Sequence, residues 1–169
     1  MKNIILVGMP GAGKSTLGVV LAKKIGYGYI DSDSVIVARE GKLLADLIEE
    51  LGNDGFLDVE AKVNSAISAY RCVIATGGSA IYRGDAIQKL RENGIVVYLR
   101  LSYEEICRRL GDFSKRGVVL KEGYTLLDLY NERAPLYEKY ADYIVDLNGL
   151  AIEESAERIK EEIQCELTD

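Results

Sequence analysis

The sequence predicts a three-layer α/β/α fold built on a parallel β-sheet, and three observations support this prediction. Short apolar runs alternate with helical stretches along the 169 residues. These runs lack the apolar–polar alternation of half-exposed strands, so they indicate strands covered on both faces. The length suits one domain, and a hydrophobic content of 48% is sufficient for such a core.

The elements follow one another in βα order. The predicted strands are short and apolar, and they cover 3–7, 27–30, 72–75, 95–99 and 143–146. The predicted helices cover 15–25, broken pieces within 34–70, then 83–93, 103–110, 125–140 and 152–165. Breaks are expected near Gly41 and between Gly52 and Gly55, because glycine favours turns over helix interiors.

The segment from Gly8 to Ser15 reads GMPGAGKS and matches the phosphate-binding pattern G-x-x-x-x-G-K-[ST]. A strand leads into it and a helix follows, so its backbone N–H groups and the helix dipole face a phosphate. In this pattern Lys14 reaches the β- and γ-phosphates and Ser15 binds Mg²⁺. The motif therefore predicts the P-loop NTPase fold, with ATP held by Gly11, Ala12, Gly13, Lys14, Ser15 and Thr16.

Two carboxylates follow the second strand, at the sheet edge where ligands gather in parallel sheets. Asp31 and Asp33 are two positions apart, so in extended backbone they face the same side. Such a pair suits Mg²⁺, with one carboxylate acting through water, and it suits a hydroxyl that attacks a phosphoryl group. The alternative is a helix cap made by Asp33 or Ser34.

Composition excludes several other functions. The net charge of −6 argues against a nucleic-acid partner, and no run of about 18 apolar residues predicts a membrane span. No signal-peptide pattern is present, and three widely spaced cysteines suit reduced thiols in the cytoplasm. The chain has no histidine, so acid–base chemistry must fall to carboxylates.

Four segments, GMPGAGKST, DSD, TGGS and RAPLY, occur with the order and spacing of the shikimate kinase family, which the chain resembles from Asn3 to Asp146. The resemblance implies a cytoplasmic enzyme with a five-stranded parallel sheet that moves the γ-phosphoryl of ATP to a ring hydroxyl of shikimate with Mg²⁺. It implies Ser15 as the Mg²⁺ ligand and Asp31 near the metal. It implies that Asp33 binds substrate hydroxyls and serves as base.

The same resemblance implies further roles around the substrate. The backbone of Gly77 and Gly78 would lie against it, and Arg133 would hold its carboxylate. A small substrate-binding subdomain would span about 34–62. A planar guanidinium suits a carboxylate because it can hold both oxygens.

A mobile lid at about 111–124 is also implied. Arg116 in it would reach the transferring phosphoryl group, and Arg108 with Arg109 would lie near the adenine. The alternatives are an ordinary solvated charge for Arg116, and charge placed at a helix C-terminus for the other two.

The chain departs from the family pattern at the substrate site. Where the family usually has Phe-Arg-x-x-Glu, this sequence has Leu57 in place of arginine and keeps Glu60; Ser79 replaces a third glycine. Either Arg133 still suffices for shikimate, or the wall containing Asp58 and Glu60 is more negative and favours a neutral or amino-bearing alcohol. We therefore include Leu57 and Ser79 among the expected substrate-binding residues.

Two other classes compete with a small-molecule kinase. One is a relative that binds nucleotide and signals through its lid, which the full set Lys14, Ser15, Asp31, Asp33 and Arg116 disfavours. The other is a nucleoside monophosphate kinase, disfavoured by the short lid and the Asp-x-Asp sequence. The expected partner is a small hydroxylated molecule, and we expect a monomer.

Overall fold

A single five-stranded parallel sheet organises the protein, seen in a computed structural model that describes residues 2–110 and 118–167. The strand order is β2-β3-β1-β4-β5. The strands are β1 Asn3–Val7, β2 Gly28–Asp31, β3 Cys72–Ala75, β4 Gly94–Arg100 and β5 Tyr143–Asp146. The helices in the described ranges are α1 Lys14–Ile25, α2 Ser32–Glu40, α3 Leu44–Ala66, α4 Gly84–Arg91, α5 Tyr103–Leu110, α6 Leu126–Tyr140 and α7 Ile152–Glu162.

The strand order places helices on both faces of the sheet. The connections β1–β2 and β3–β4 run in opposite directions across the sheet, and right-handed crossovers therefore put α1 on one face and α4 on the other. Helix α7 packs beside α1, and α6 packs against β4. The predicted three-layer α/β/α fold with five parallel strands is confirmed.

The central strands are buried except at two ends, Cys72 in β3 and Arg100 in β4, as their apolar sequences predict. All five residues of β1 are buried, and β1 pairs with β3 and β4 in register, with Ile4 opposite Val73 and Ile95. No helix in the described ranges is both long and apolar enough to cross a membrane.

Element boundaries differ from the prediction mainly around the second strand. Helix α2 begins at Ser32, directly after β2, because the Asp31 carboxylate accepts a hydrogen bond from the Ser34 N–H (3.1 Å) and caps the helix. The expected break in the following helix is confirmed: α3 consists of two helical pieces that meet at a kink at Gly52, where φ is 69° and ψ is 175°. Helix α7 ends at Glu162, earlier than expected.

A second apolar cluster lies apart from the main core, between α2 and α3. Its buried members are Ile36, Leu47, Phe56, Leu57, Val63 and Val119. The residues predicted to form a substrate-binding subdomain therefore have a small core of their own. Leu57, only 7% exposed, belongs to this core.

Candidate active site

The phosphate loop connects β1 to α1 and is shaped by glycine. Gly11 and Gly13 have φ of 81° and 89°, which other residues rarely adopt. A Cβ at Gly11 would also lie 2.7 Å from Leu110 Cγ, too close for ordinary contact. The loop can therefore close tightly in front of the positive N-terminal end of α1.

Lys14 is held inside this loop by hydrogen bonds to the backbone. Its Nζ donates hydrogen bonds to the carbonyl oxygens of Gly8 (2.7 Å) and Met9 (3.0 Å), and the residue is buried. Burial disfavours the charged amine and lowers the pKa of Lys14 to about 8, while the nearby Asp33 carboxylate acts in the opposite direction. Phosphate oxygens at this position would stabilise the ammonium form.

Ser15 and Asp31 make a pair of oxygen ligands beside the loop. The Ser15 hydroxyl donates to Asp31 Oδ2 (2.7 Å), and the Tyr29 hydroxyl donates to the same oxygen (3.1 Å). Mg²⁺ at nucleotide sites uses one or two protein oxygens together with phosphates and water. This hydroxyl and this carboxylate fit that requirement and could hold the ion.

Asp33 lies in the first turn of α2, so it does not alternate with Asp31 along a strand as predicted. The extended-strand interpretation is wrong because the helix begins one residue after Asp31. The capping alternative is also wrong for Asp33 and Ser34, since Asp31 supplies the cap. Asp33 nevertheless faces the cavity, and burial raises its pKa above the usual aspartate range.

A cavity of about 590 Å³ joins the phosphate loop to the substrate side. The expected site residues that line it are Gly11, Gly13, Lys14, Ser15, Thr16, Asp33, Gly77, Gly78, Ser79 and Arg133. Parallel strands end at this edge, as expected for a single site in an α/β sheet. The geometry thus brings residues expected to bind phosphate and residues expected to bind the acceptor into one volume.

Arg133 is buried on α6 and is fixed from two sides. Its Nη2 donates to the Val119 carbonyl oxygen (2.6 Å) and its Nε donates to the Tyr82 hydroxyl oxygen (3.2 Å). The Tyr82 hydroxyl in turn donates to Glu132 Oε1 (2.6 Å). These contacts orient the guanidinium towards the cavity, where it can bind an anionic group.

Gly77 and Gly78 leave room that any side chain would fill. A Cβ at Gly77 would overlap Glu60 Oε1 and lie 2.9 Å from Asp33 Oδ1. A Cβ at Gly78 would lie 2.9 Å from Arg133 Nη1. The glycines thus allow the β3 loop to approach both the carboxylates and the guanidinium.

Several expected site residues lie elsewhere. Leu57 is absent from the described cavity lining because it packs in the small core. Arg108 is exposed and paired with Glu105, whereas Arg109 lines the cavity and donates to the Ala12 carbonyl oxygen (3.4 Å). Ala12 itself is buried, with its N–H donating to Met9.

The lid prediction concerns residues of which only part is described. Arg116 lies outside the described residues. Of the segment expected to form the lid, 118–124 is described, and Val118 and Val119 line the cavity.

The acidic wall expected to contain Asp58 and Glu60 has a different composition in the structure. The Asp58 side chain is 71% exposed and pairs with Arg83 (2.9 Å), outside the described cavity lining. Glu60 does line the cavity, and its Oε2 accepts from the Ser79 hydroxyl (2.7 Å). Asp58 therefore contributes no charge to the wall, and Ser79 contributes its hydroxyl to Glu60.

Two contributors, Tyr82 and Glu132, were not predicted as site residues, and of the two arginines expected near the adenine only Arg109 lines the cavity. Arg109 and its neighbour Arg108 occupy different sides of α5. Arg109 lies four residues after Glu105, a spacing that places Arg109 and Glu105 on one helix face. Tyr82 and Glu132 act through Arg133, and no local motif marks such contacts.

Comparison with known proteins gives a consistent result. The model of the family "Shikimate kinase" matches residues 10–164. A shikimate kinase from Thermodesulfovibrio yellowstonii is 36% identical over 97% of this chain and 96% of its own. One from Chromohalobacter salexigens is 42% identical over 86% and 82%. The structure of shikimate kinase from Acinetobacter baumannii in complex with shikimate has a TM-score of 0.90 at 34% identity, covering 100% of this chain and 96% of that one.

The fold and the cavity together define a P-loop kinase, with the phosphate loop lining part of the cavity. The chain belongs to the shikimate kinase family, because the family model covers most of it and full-length relatives exceed 30% identity. It is therefore an ATP-dependent phosphotransferase that acts on a hydroxyl group.

Proposed function

We propose that this protein phosphorylates shikimate at a ring hydroxyl, using ATP with Mg²⁺. The observation that carries the proposal is the convergence of Lys14, Asp33 and Arg133 on one cavity. These residues supply a cation for the phosphates, a carboxylate for the attacking hydroxyl and a guanidinium for the acceptor carboxylate. A relative with a TM-score of 0.90 holds shikimate, which supports the choice of acceptor.

The chemistry follows from electrostatics and positioning. The loop N–H groups and Lys14 hold the β- and γ-phosphates, where positive charge offsets the charge of the transition state. Ser15 and Asp31 would hold Mg²⁺, which neutralises charge on the bridged phosphates when bound. Asp33 orients the acceptor hydroxyl for in-line attack and accepts its proton. Arg133 fixes the other end of the acceptor, and Arg116 is proposed to approach the γ-phosphoryl.

The proposal includes a monomeric, cytoplasmic enzyme. Lys14, Asp33 and Arg133 of a single chain line one cavity, which is consistent with a monomer. ATP as phosphoryl donor is consistent with an intracellular location.

The direct test is an ADP-release assay with Mg-ATP, comparing shikimate with neutral alcohols, amino alcohols and sugar acids. Saturable turnover on shikimate, exceeding every other acceptor in kcat/KM, is expected. No turnover of shikimate, together with turnover of an amino alcohol, would overturn the proposal. The alternative of a neutral or amino-bearing acceptor has lost one support, because Asp58 points away from the cavity and pairs with Arg83.

Gly77→Ala is expected to lower kcat/KM for shikimate by about a hundredfold. The added methyl would displace Glu60 and Asp33 from their positions, and small misplacements at a reacting centre can cost about 10² in rate. Steady-state kinetics measures the loss. The control is Ala69→Gly, which lies outside the described cavity lining and tests whether any change near β3 has this effect. Gly26→Ala is not a suitable control, because Gly26 has a φ of 72°, which alanine rarely adopts. Unchanged kinetics in Gly77→Ala would contradict the close approach.

Tyr82→Phe is expected to raise the KM for shikimate about tenfold while leaving kcat and the KM for ATP nearly unchanged. The variant removes the oxygen that receives Arg133 Nε, a charge-assisted bond equivalent to about 1.4 kcal/mol. Tyr130→Phe on α6 is the matched control, because its hydroxyl bonds to Leu101 instead. An equal effect of both variants would show that Tyr82 acts only on stability.

A further inference from the structure

Glu60 is a buried acid whose role in the reaction is not explained by the groups described so far. It is 1% exposed and lines the cavity from α3. Its Oε2 accepts a hydrogen bond from Ser79, and its Oε1 has no hydrogen-bond partner. Oε1 and Asp33 Oδ1 both lie against Gly77, so two carboxyl groups share one narrow space. Such an arrangement disfavours two negative charges.

The cations that face Glu60 are already bound to other groups. Lys14, from α1, donates to the carbonyl oxygens of its own loop, and Arg133, from α6, donates to Tyr82 and Val119. Leu57, one turn earlier on the same helix face as Glu60, is apolar. Among the described residues, no cation is placed to form an ion pair with Glu60.

The surroundings therefore favour the protonated acid far more than water does, so that both forms of Glu60 are populated near neutral pH. Burial raises the pKa of Glu60 to about 7, and the Asp33 charge adds to this rise. The Ser79 hydrogen bond, Arg133 and Lys14 act in the opposite direction. An acceptor carboxylate at Arg133 brings another negative charge nearby and shifts the balance further towards the acid.

We propose that Glu60 is a specificity-determining residue that is protonated when a carboxylate-bearing acceptor binds, so that Arg133 meets only the acceptor's negative charge. This inference rests on the proposed function, because it takes shikimate as the acceptor. The proton comes from solvent. Between the pKa of Glu60 in the free protein and its higher pKa in the complex, binding takes up a proton; below both pKa values the proton is already present.

The sign of the pH dependence follows. Because bound acceptor raises the pKa of Glu60, affinity is greatest below about pH 7. It falls as pH rises above that value, by up to about tenfold per pH unit. If Glu60 were instead ionised and paired with a guanidinium, shikimate affinity would not fall with rising pH in this way.

The test is calorimetric titration of shikimate into the full-length protein saturated with MgADP, between pH 6 and 9. Repeating it in two buffers of different ionisation enthalpy counts the protons taken up. Saturation with MgADP keeps Lys14 against phosphates and thus charged. We expect the affinity of the wild type to fall tenfold or more across this range, with uptake approaching one proton at the alkaline end. The methyl ester of shikimate, which lacks the carboxylate charge, should bind without this uptake.

Two variants isolate Glu60. Glu60→Gln keeps a neutral side chain of the same shape at every pH, so its shikimate affinity should be independent of pH and exceed that of the wild type at pH 9. Ser79→Ala removes a bond that lowers the pKa of Glu60, so it should shift the midpoint to higher pH. Asp58→Asn, exposed on the same helix, should reproduce the wild-type profile.

Three outcomes would overturn the inference while leaving the proposed function intact. They are wild-type affinity that stays flat across this range, proton uptake that persists in Glu60→Gln, and weaker binding by Glu60→Gln at every pH. Absence of both shikimate binding and turnover in the wild type is a different result. It would overturn the proposed function, and the inference with it.

Discussion

Replacing Lys14 with methionine is expected to lower kcat/KM for ATP by on the order of 10³-fold. The variant removes the single buried ammonium of the phosphate loop, and a preorganised charge at a reacting phosphoryl group contributes most in a site shielded from water. Methionine is unbranched and only one heavy atom shorter than lysine, and it carries no charge. Steady-state kinetics and nucleotide binding measure the loss.

The same substitution also removes two hydrogen bonds that hold the loop. The carbonyl oxygen of Gly8 loses the Lys14 donor, and leaving this buried group unsatisfied costs about 1–3 kcal/mol in unfolding free energy. The carbonyl oxygen of Met9 loses the same donor but keeps the hydrogen bond from the Ala12 N–H. Thermal unfolding must therefore accompany the kinetics. Lys23→Met, an exposed change on the same helix, is the matched control. A folded Lys14→Met enzyme with normal kinetics would remove Lys14 from phosphate binding.

Local patterns predicted the sheet and the phosphate loop accurately. The apolar run of β1 and the glycine-lysine motif after it depend on residues adjacent in sequence, so their geometry can be inferred from sequence. The position of Asp33 could not be obtained in this way. Whether residues after Ile30 continue a strand or begin a helix depends on the cap made by Asp31, and the Asp-Ser-Asp sequence allows both.

The acceptor wall shows a different limit. Its Ser79–Glu60 bond joins α3 to the loop after β3, and no local pattern indicates which loop residue meets which helix face. The direction of the Asp58 side chain, in contrast, could have been predicted from the sequence. Two positions along a helix rotate a side chain by about 200°, so Asp58 and Glu60 cannot face the same cavity. Helical geometry applied to α3 would have placed Asp58 outside.

Asp33→Asn is expected to lower kcat by about 10²- to 10⁴-fold, the range typical of losing a positioned general base. Asparagine keeps the size of the side chain and the contact with Gly77, but it accepts no proton at neutral pH. The KM for ATP should change much less, because Asp33 lies on the acceptor side of the phosphate loop. Rapid-quench measurement of phosphoryl transfer separates the chemical step from product release.

One secondary effect must be separated from the loss of the base. The Asp33 charge raises the pKa of Lys14, so its removal favours the neutral amine. Bound phosphates oppose this, and measurement below pH 7 favours the charged ammonium further. Asp58→Asn supplies the same chemical change on an exposed face. If Asp33→Asn and Asp58→Asn turn over at the same rate with intact nucleotide binding, Asp33 is not the base, and the hydroxyl proton leaves by another route.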